Sequence, residues 1–173
     1  VERKGIVMVY TGNGKGKTTA ACGLVLRAVG HGHKVAFVQF MKGQPTGEVE
    51  AMRKFLPGVD VFRYGRDVFV DQSNPDPEDE QLAAEGLRQA LDLLASDIDL
   101  LVLDEVNVAI DYGLVSAEKL VAAIHHRRPQ MTVVLTGRGL SQMVENVADL
   151  ISEVREVRHH WRKGIPAQVG IEE

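Results

Sequence analysis

Short apolar runs rich in Val, Ile and Phe alternate along this chain with longer stretches of helical period, the pattern of βαβ units stacked around a parallel sheet. The runs predict strands at residues 5–10, 34–40, 60–64, 99–104, 132–136 and 150–157. Between them, Ala20, Ala21, Leu24, Val25 and Ala28 share one helical face, as do Leu82, Ala83, Leu87, Ala90, Leu91 and Leu94. Asp76 before Pro77, Glu78 and Asp79 reads as an N-cap, a first-turn proline and acids matched to the helix dipole. Ser116 and Ser141 read as caps of two further helices, and His125 and His126 as cations suited to a helix end. Two segments break the alternation: residues 65–75 and the tail 158–173, which carries clustered base but no usable period.

Composition sharpens the picture in three ways. A chain of 173 residues with 45% hydrophobic content predicts one domain over residues 1–173, large enough to hold a core without a disulfide or metal staple. A net charge of −4 argues against wholesale binding to duplex nucleic acid. One cysteine, Cys22, excludes an internal disulfide framework and fits a reducing, cytoplasmic setting; on the apolar side of its helix it is expected in the core. The apolar runs are strand-sized, which predicts no membrane span. The chain opens without Met, runs straight into its first strand and shows no secretory leader, so a trimmed start is expected.

The chemistry is concentrated after the first strand, where TGNGKGKTT at 11–19 opens directly into the first amphipathic helix. A strand, a Gly-rich turn and a helix N-terminus form a phosphate-binding loop, because the glycines let successive backbone N–H groups face an anion and the helix adds partial positive charge. Gly12, Asn13, Gly14, Lys15, Gly16, Lys17, Thr18 and Thr19 are the nucleotide-binding candidates, with Lys17 reaching the phosphates and Thr18 holding Mg2+ through its hydroxyl. Thr11 stands where the first glycine of the usual pattern is expected, and the other glycines compensate. Four apolar residues ending in Asp104 and Glu105 supply the carboxylates of a metal site at the end of a buried strand. Lys42, Gly43, Asn107, Tyr112, Thr136, Gly137 and Arg138 follow other strands and should line the same rim, Arg138 as an anion contact or as a solvated loop residue. The fold expected is α/β, of the RecA-like P-loop NTPase type, with a mainly parallel sheet flanked by helices.

These motifs, in this order, resemble the P-loop corrinoid adenosyltransferases. The resemblance spans nearly the whole chain: TGNGKGKTTAA at 11–21, RA-x-GHG-x-x-V at 27–35, VQF-x-KG with a following TGE at 38–48, LDE at 103–105, LTGRG at 135–139, ADL at 148–150 and H-x-x-x-x-GI-x-AQ-x-GIE at 159–172. It implies transfer of the adenosyl group of ATP to the cobalt(I) of a reduced corrinoid, with Mg2+, release of triphosphate, a reduced flavoprotein or other electron donor, and a homodimer. Lys17 and Glu105 become the catalytic candidates, Thr18, Asp104 and Glu105 the metal-holding ones. By the same resemblance Asn13 orients the ribose, the nucleotide lies in an unusual direction in the loop, and the tail packs near the active site. In the family a loop equivalent to 65–75 presses an apolar side chain against the corrin and displaces the axial base, which implies that Phe69 carries the corrinoid contact with Val68 or Val70 filling in; the alternative is that Phe69 only anchors the loop to the core. Three departures stand out. Many members have an extension before the first strand that covers the site, two aromatics in that loop where this sequence has Phe69 alone, and an aromatic after GIE where this sequence has Glu173. The first of these leads us to expect a different closure.

Two other functions fit the bare residues. A P-loop ATPase or small-molecule kinase would use Glu105 to polarise water or an acceptor, and would break a P–O bond. A RecA-like binder of single-stranded nucleic acid would use Arg155, Arg158, Arg162 and Lys163 with Trp161, which net charge disfavours.

Overall fold

The computed structural model describes residues 3–172; Glu173 lies outside them. The chain runs β1 (Val7–Thr11), α1 (Lys17–Gly30), β2 (Val35–Phe40), α2 (Gly47–Phe55), β3 (Val59–Tyr64), α3 (Pro77–Leu94), β4 (Leu100–Asp104), α4 (Val106–Asp111), α5 (Ala117–His126), β5 (Thr132–Thr136), α6 (Gln142–Val147) and β6 (Leu150–Glu153). All five pairings are parallel, in the order β3-β2-β4-β5-β1-β6. Parallel strands need helical crossovers, so both faces are covered, and the inner strands read as continuous apolar runs.

The period-two alternation of those runs sorts side chains between two cores. Ala36, Val38, Phe40, Leu101 and Leu103 pack on one face with Ala83 and Ala90 of α3 and Leu120 and Ile124 of α5. Val35, Phe37, Leu100, Val102 and Val134 face the other way onto Ala21 and Val25 of α1 and Val49 and Met52 of α2. Asp76 caps α3 as its sequence indicates: its carboxylate accepts from Glu78 N–H, and Asp79 returns a bond to the cap backbone. Ser116 and Ser141 likewise cap α5 and α6.

Two strand boundaries need correction. The last strand stops at Glu153 rather than residue 157, because Val154 turns onto the phosphate loop: its N–H donates to Thr11 O at 2.8 Å and its carbonyl accepts from Gly14 N–H at 2.7 Å. The first strand extends to Thr11 instead of ending at Tyr10, since Thr11 pairs with Glu153. On α1 the expected face does pack on the sheet: Ala21 and Val25 are buried, and Leu24 and Ala28 pack half-covered against the same core. Cys22 is half-buried: it packs against the core formed by α1, as expected, and also borders the cavity described below. Two short helices, α2 and α4, carried too few periodic apolar positions to be read from sequence.

Candidate active site

Parallel strands deliver their carboxyl ends to one edge, where open α/β sheets bind ligands. β1 delivers the phosphate loop there. Thr11 can replace a glycine because it is still strand; the left-handed turn falls one residue later, at Gly12, with φ 95°. Gly14 meets the chain after β6 so closely that a Cβ would lie 2.8 Å from the carbonyl carbon of Arg155, so any side chain there would push the loop off the sheet. Lys17, only 8% exposed, folds into the loop and donates from Nζ to the carbonyls of Gly12 and Gly14, both at 2.8 Å. Burial pushes its ammonium below the usual lysine range, an effect opposed by the carboxylate of Glu105.

β4 delivers the acids. Asp104 is fully buried and accepts from three donors: the hydroxyls of Thr18 and Thr136 donate to Oδ1 at 2.9 and 2.7 Å, and Gln39 Nε2 donates to Oδ2 at 3.0 Å. Thr136 also accepts from Glu105 N–H at 2.9 Å, which ties β5 to the end of β4. Glu105 is left-handed, at φ 60°, and its carboxylate turns toward Lys42 Nζ at 3.9 Å. Burial, with Asp104 next in weight, raises its pKa above the ordinary glutamate value. Gln39 was invisible as a site residue, although one amide inside the apolar run of β2 was the available signal. Its Oε1 is buried without a hydrogen-bond partner among the described residues, as is Asn107 Oδ1.

These groups open onto one cavity of about 950 Å³. Asn13 to Thr19, Lys42, Glu105, Tyr112 and Arg138 line it from the strand ends. Arg138 reaches the loop, donating to Asn13 O at 3.4 Å. Gly12 and Asp104 lie behind this lining, the latter inside the hydrogen-bond network. Phe69 and Val70 line the cavity from the loop 65–75, while Val68, 55% exposed, is outside its wall. Gly170, Ile171 and Glu172 of the tail complete it, with Lys15 Nζ donating to Ile171 O at 3.3 Å. Cys22 also borders the cavity, its thiol pushed up to about 12 chiefly by burial, so at neutral pH it stays protonated and a poor nucleophile.

The loop 65–75 is pinned at its base, not at Phe69. Arg66 grips Asp79 of α3 with two bonds, Nε to Oδ1 at 2.7 Å and Nη2 to Oδ2 at 2.6 Å, and its carbonyl accepts from Gly43 N–H at 2.9 Å. That grip holds the Asp79 carboxyl below the ordinary aspartate value. A lowered folded pKa stabilises above the unfolded value and is lost as pH falls through the folded one. Arg66→Ala should therefore lower the thermal unfolding midpoint at pH 7, and the gap to the parent should narrow as pH drops below the ordinary aspartate range. A gap that stays constant with pH would contradict this role.

The sheet, its loop and its buried acids define a P-loop protein of the α/β class. The fold is similar to that of the flagellar accessory protein FlaH from Methanocaldococcus jannaschii, with a TM-score of 0.61 at 14% identity, over 87% of this chain and 71% of that one. Sequence carries the assignment further. The model of the ATP:corrinoid adenosyltransferase family BtuR/CobO/CobP matches residues 3–172. A corrinoid adenosyltransferase of Escherichia coli K12 is 40% identical, over 99% of this chain and 87% of its own length. The corrinoid adenosyltransferase CobA of Salmonella typhimurium is 38% identical over the same shares, and one from Pseudomonas aeruginosa 38% identical over 99% and 85%. The chain belongs to the ATP:corrinoid adenosyltransferase family, and it is an enzyme that adenosylates corrinoids with ATP as the donor. Among the described residues no helix is long and apolar enough to cross a membrane.

Proposed function

We propose that a cobalt(I) corrinoid attacks the 5′-carbon of ATP held in the loop 11–19, and that triphosphate leaves. The observation that carries this reading is one cavity lined both by phosphate-binding groups and by the apolar pair Phe69 and Val70. In the step, the electron pair of cobalt forms the Co–C5′ bond while the C5′–O5′ pair departs with triphosphate. No proton moves, so no general base is required, in keeping with a protonated Cys22. The protein's contribution is alignment, on the order of 7–11 kcal/mol when two reactants are held in line, and stabilisation of the departing polyanion. Backbone N–H groups of Gly12 to Thr19, the Lys17 ammonium and Arg138 act on the triphosphate, and Asn13 positions the ribose.

Thr18, Asp104 and Glu105 would hold Mg2+. Their donor set fits, since one hydroxyl and two carboxylates are hard oxygens, and Mg2+ is commonly bound by one or two carboxylates together with phosphate oxygens and water. Bound there, the ion neutralises charge growing on the leaving group. The bond from the Thr18 hydroxyl to Asp104 Oδ1 at 2.9 Å supports grouping the two at one site.

We assign Phe69 the contact with the lower face of the corrin, with Val70 beside it and Val68 able to follow as the loop closes. Full exposure of Phe69 supports this over a role as an anchor of the loop. Displacing the axial base makes cobalt(II) easier to reduce. Phe69→Ala should then cut turnover from cobalt(II) with a flavoprotein reductant at least about tenfold more than turnover from chemically made cobalt(I). Equal losses by both routes would contradict the assignment. The reduced flavoprotein donor, a homodimer and a cytoplasmic setting belong to the same proposal, the last supported by a single, free cysteine.

ATP carrying 18O at the bridge between C5′ and the α-phosphorus tests the reaction itself. Attack at carbon leaves the label in triphosphate; a kinase or ATPase leaves it in ADP.

A further inference from the structure

We propose that Lys42 is a built-in counter-cation of the Asp104–Glu105 pair, seated where a divalent ion would be held, and that it yields this place to the ion and turns to the triphosphate. The inference rests on the assignment of Thr18, Asp104 and Glu105 to the metal.

Lys42 follows β2, next in the sheet to β4. Its Nζ lies 3.7 Å from Asp104 Oδ2 and 3.9 Å from Glu105 Oε1, between the two acids. Those are ion-pair distances too long for a good hydrogen bond, in contrast to the 2.8 Å bonds by which Lys17 is fixed to its loop. Asp104 has three hydrogen-bond donors besides Lys42, so its geometry does not depend on the lysine. Nor does the backbone around Lys42 depend on the side chain. Met41 N–H donates to Tyr64 O and Gly43 N–H to Arg66 O, both at 2.9 Å, which pins the residues on either side.

Backbone strain marks the same place. Among the described residues, Met41 at φ 63° and Glu105 at φ 60° are the non-glycine residues with positive φ. One directs Lys42, and the other directs the carboxylate it faces. Left-handed conformations of this kind persist where the surrounding structure imposes them, and they cluster at functional sites. Lys42 is about one-third exposed and lines the cavity with the phosphate loop, so an ammonium displaced from the acids stays within the space where phosphates bind. The arrangement keeps two adjacent acids, one fully buried, from facing each other without a counter-charge before the metal and nucleotide arrive.

A lysine with this role gives opposite signs with two probes. On nucleotide-free protein, Lys42→Met should tighten Mn2+, followed as loss of the free-ion EPR signal, by at least about fivefold. In EDTA the same variant should weaken inorganic triphosphate, followed by calorimetry, by at least about fivefold. Lys42→Arg should keep both near the parent values. Thermal unfolding checks that each variant folds, and Lys42→Gln takes the place of the Met variant if that one does not. Mn2+ affinity that is unchanged or weaker without the charge overturns the proposal. Asp104→Asn separates the two levels. If Mn2+ uptake depends on Asp104 and not on Lys42, only the present inference falls; if it does not depend on Asp104, the metal assignment falls and this inference with it.

Discussion

Glu105→Gln should lower turnover by about 100-fold or more, the scale of removing one charge-stabilising group from an active site, and should also raise the unfolding temperature at neutral pH. The two effects have one cause. Burial disfavours the ionised carboxylate, and Asp104 adds to this, so the folded protein holds the Glu105 proton more tightly than the unfolded chain does. Between the unfolded and the raised folded pKa, the folded state binds more protons, and stability falls as pH rises through that window. Above it the cost is fully present. Glutamine keeps the shape and removes the charge, and each kcal/mol recovered is worth about 2–4 °C in a chain of this size. The stabilisation should vanish when both proteins are melted at a pH below the ordinary glutamate range. An unfolding temperature equal to or below the parent's at pH 7 would show that the contact with Lys42 outweighs burial.

Lys17→Ala should cost at least about 100-fold in kcat. Lys17 is nearly buried, and its bonds to the carbonyls of Gly12 and Gly14 set the loop's curvature. Removing it takes away a cation proposed to act on the leaving group and also leaves two carbonyls without their donor. If the charge acts mainly on departing triphosphate, kcat falls further than KM rises; a rise confined to KM would mean that Lys17 serves binding alone. A folded variant with parental kcat would place the leaving group elsewhere.

Much of this was legible in the sequence, for physical reasons. Alternating apolar runs and helical stretches encode a parallel sheet directly, and a glycine-rich turn between a strand and a helix has few other uses, so β1, β4, the loop and the Asp104–Glu105 pair could all be read. Asp76 announced α3 because a cap, a proline and acids are each local. Less legible were features that depend on neighbours distant in sequence. Val154 leaves its strand to bond Gly14, which no alternation pattern reveals. Gln39 gains its role only because β2 pairs with β4 and sets it opposite Asp104. Cys22 belongs to an apolar helix face in sequence, yet that face ends at the cavity. The exposure of Phe69 was equally hidden, since a lone aromatic in a loop reads the same whether it anchors or waits for a ligand.

In the proposed reaction the cavity joins the 5′-carbon of ATP to cobalt and discards triphosphate whole. Anaerobic incubation of the protein with ATP, Mg2+ and chemically reduced cobalamin, quenched over a time course, tests it most directly. Light-sensitive adenosylcobalamin, followed by absorbance, and intact triphosphate, separated by ion exchange, should appear in equal amounts and at the same rate. ADP and orthophosphate formed without a light-sensitive corrinoid would contradict attack at carbon.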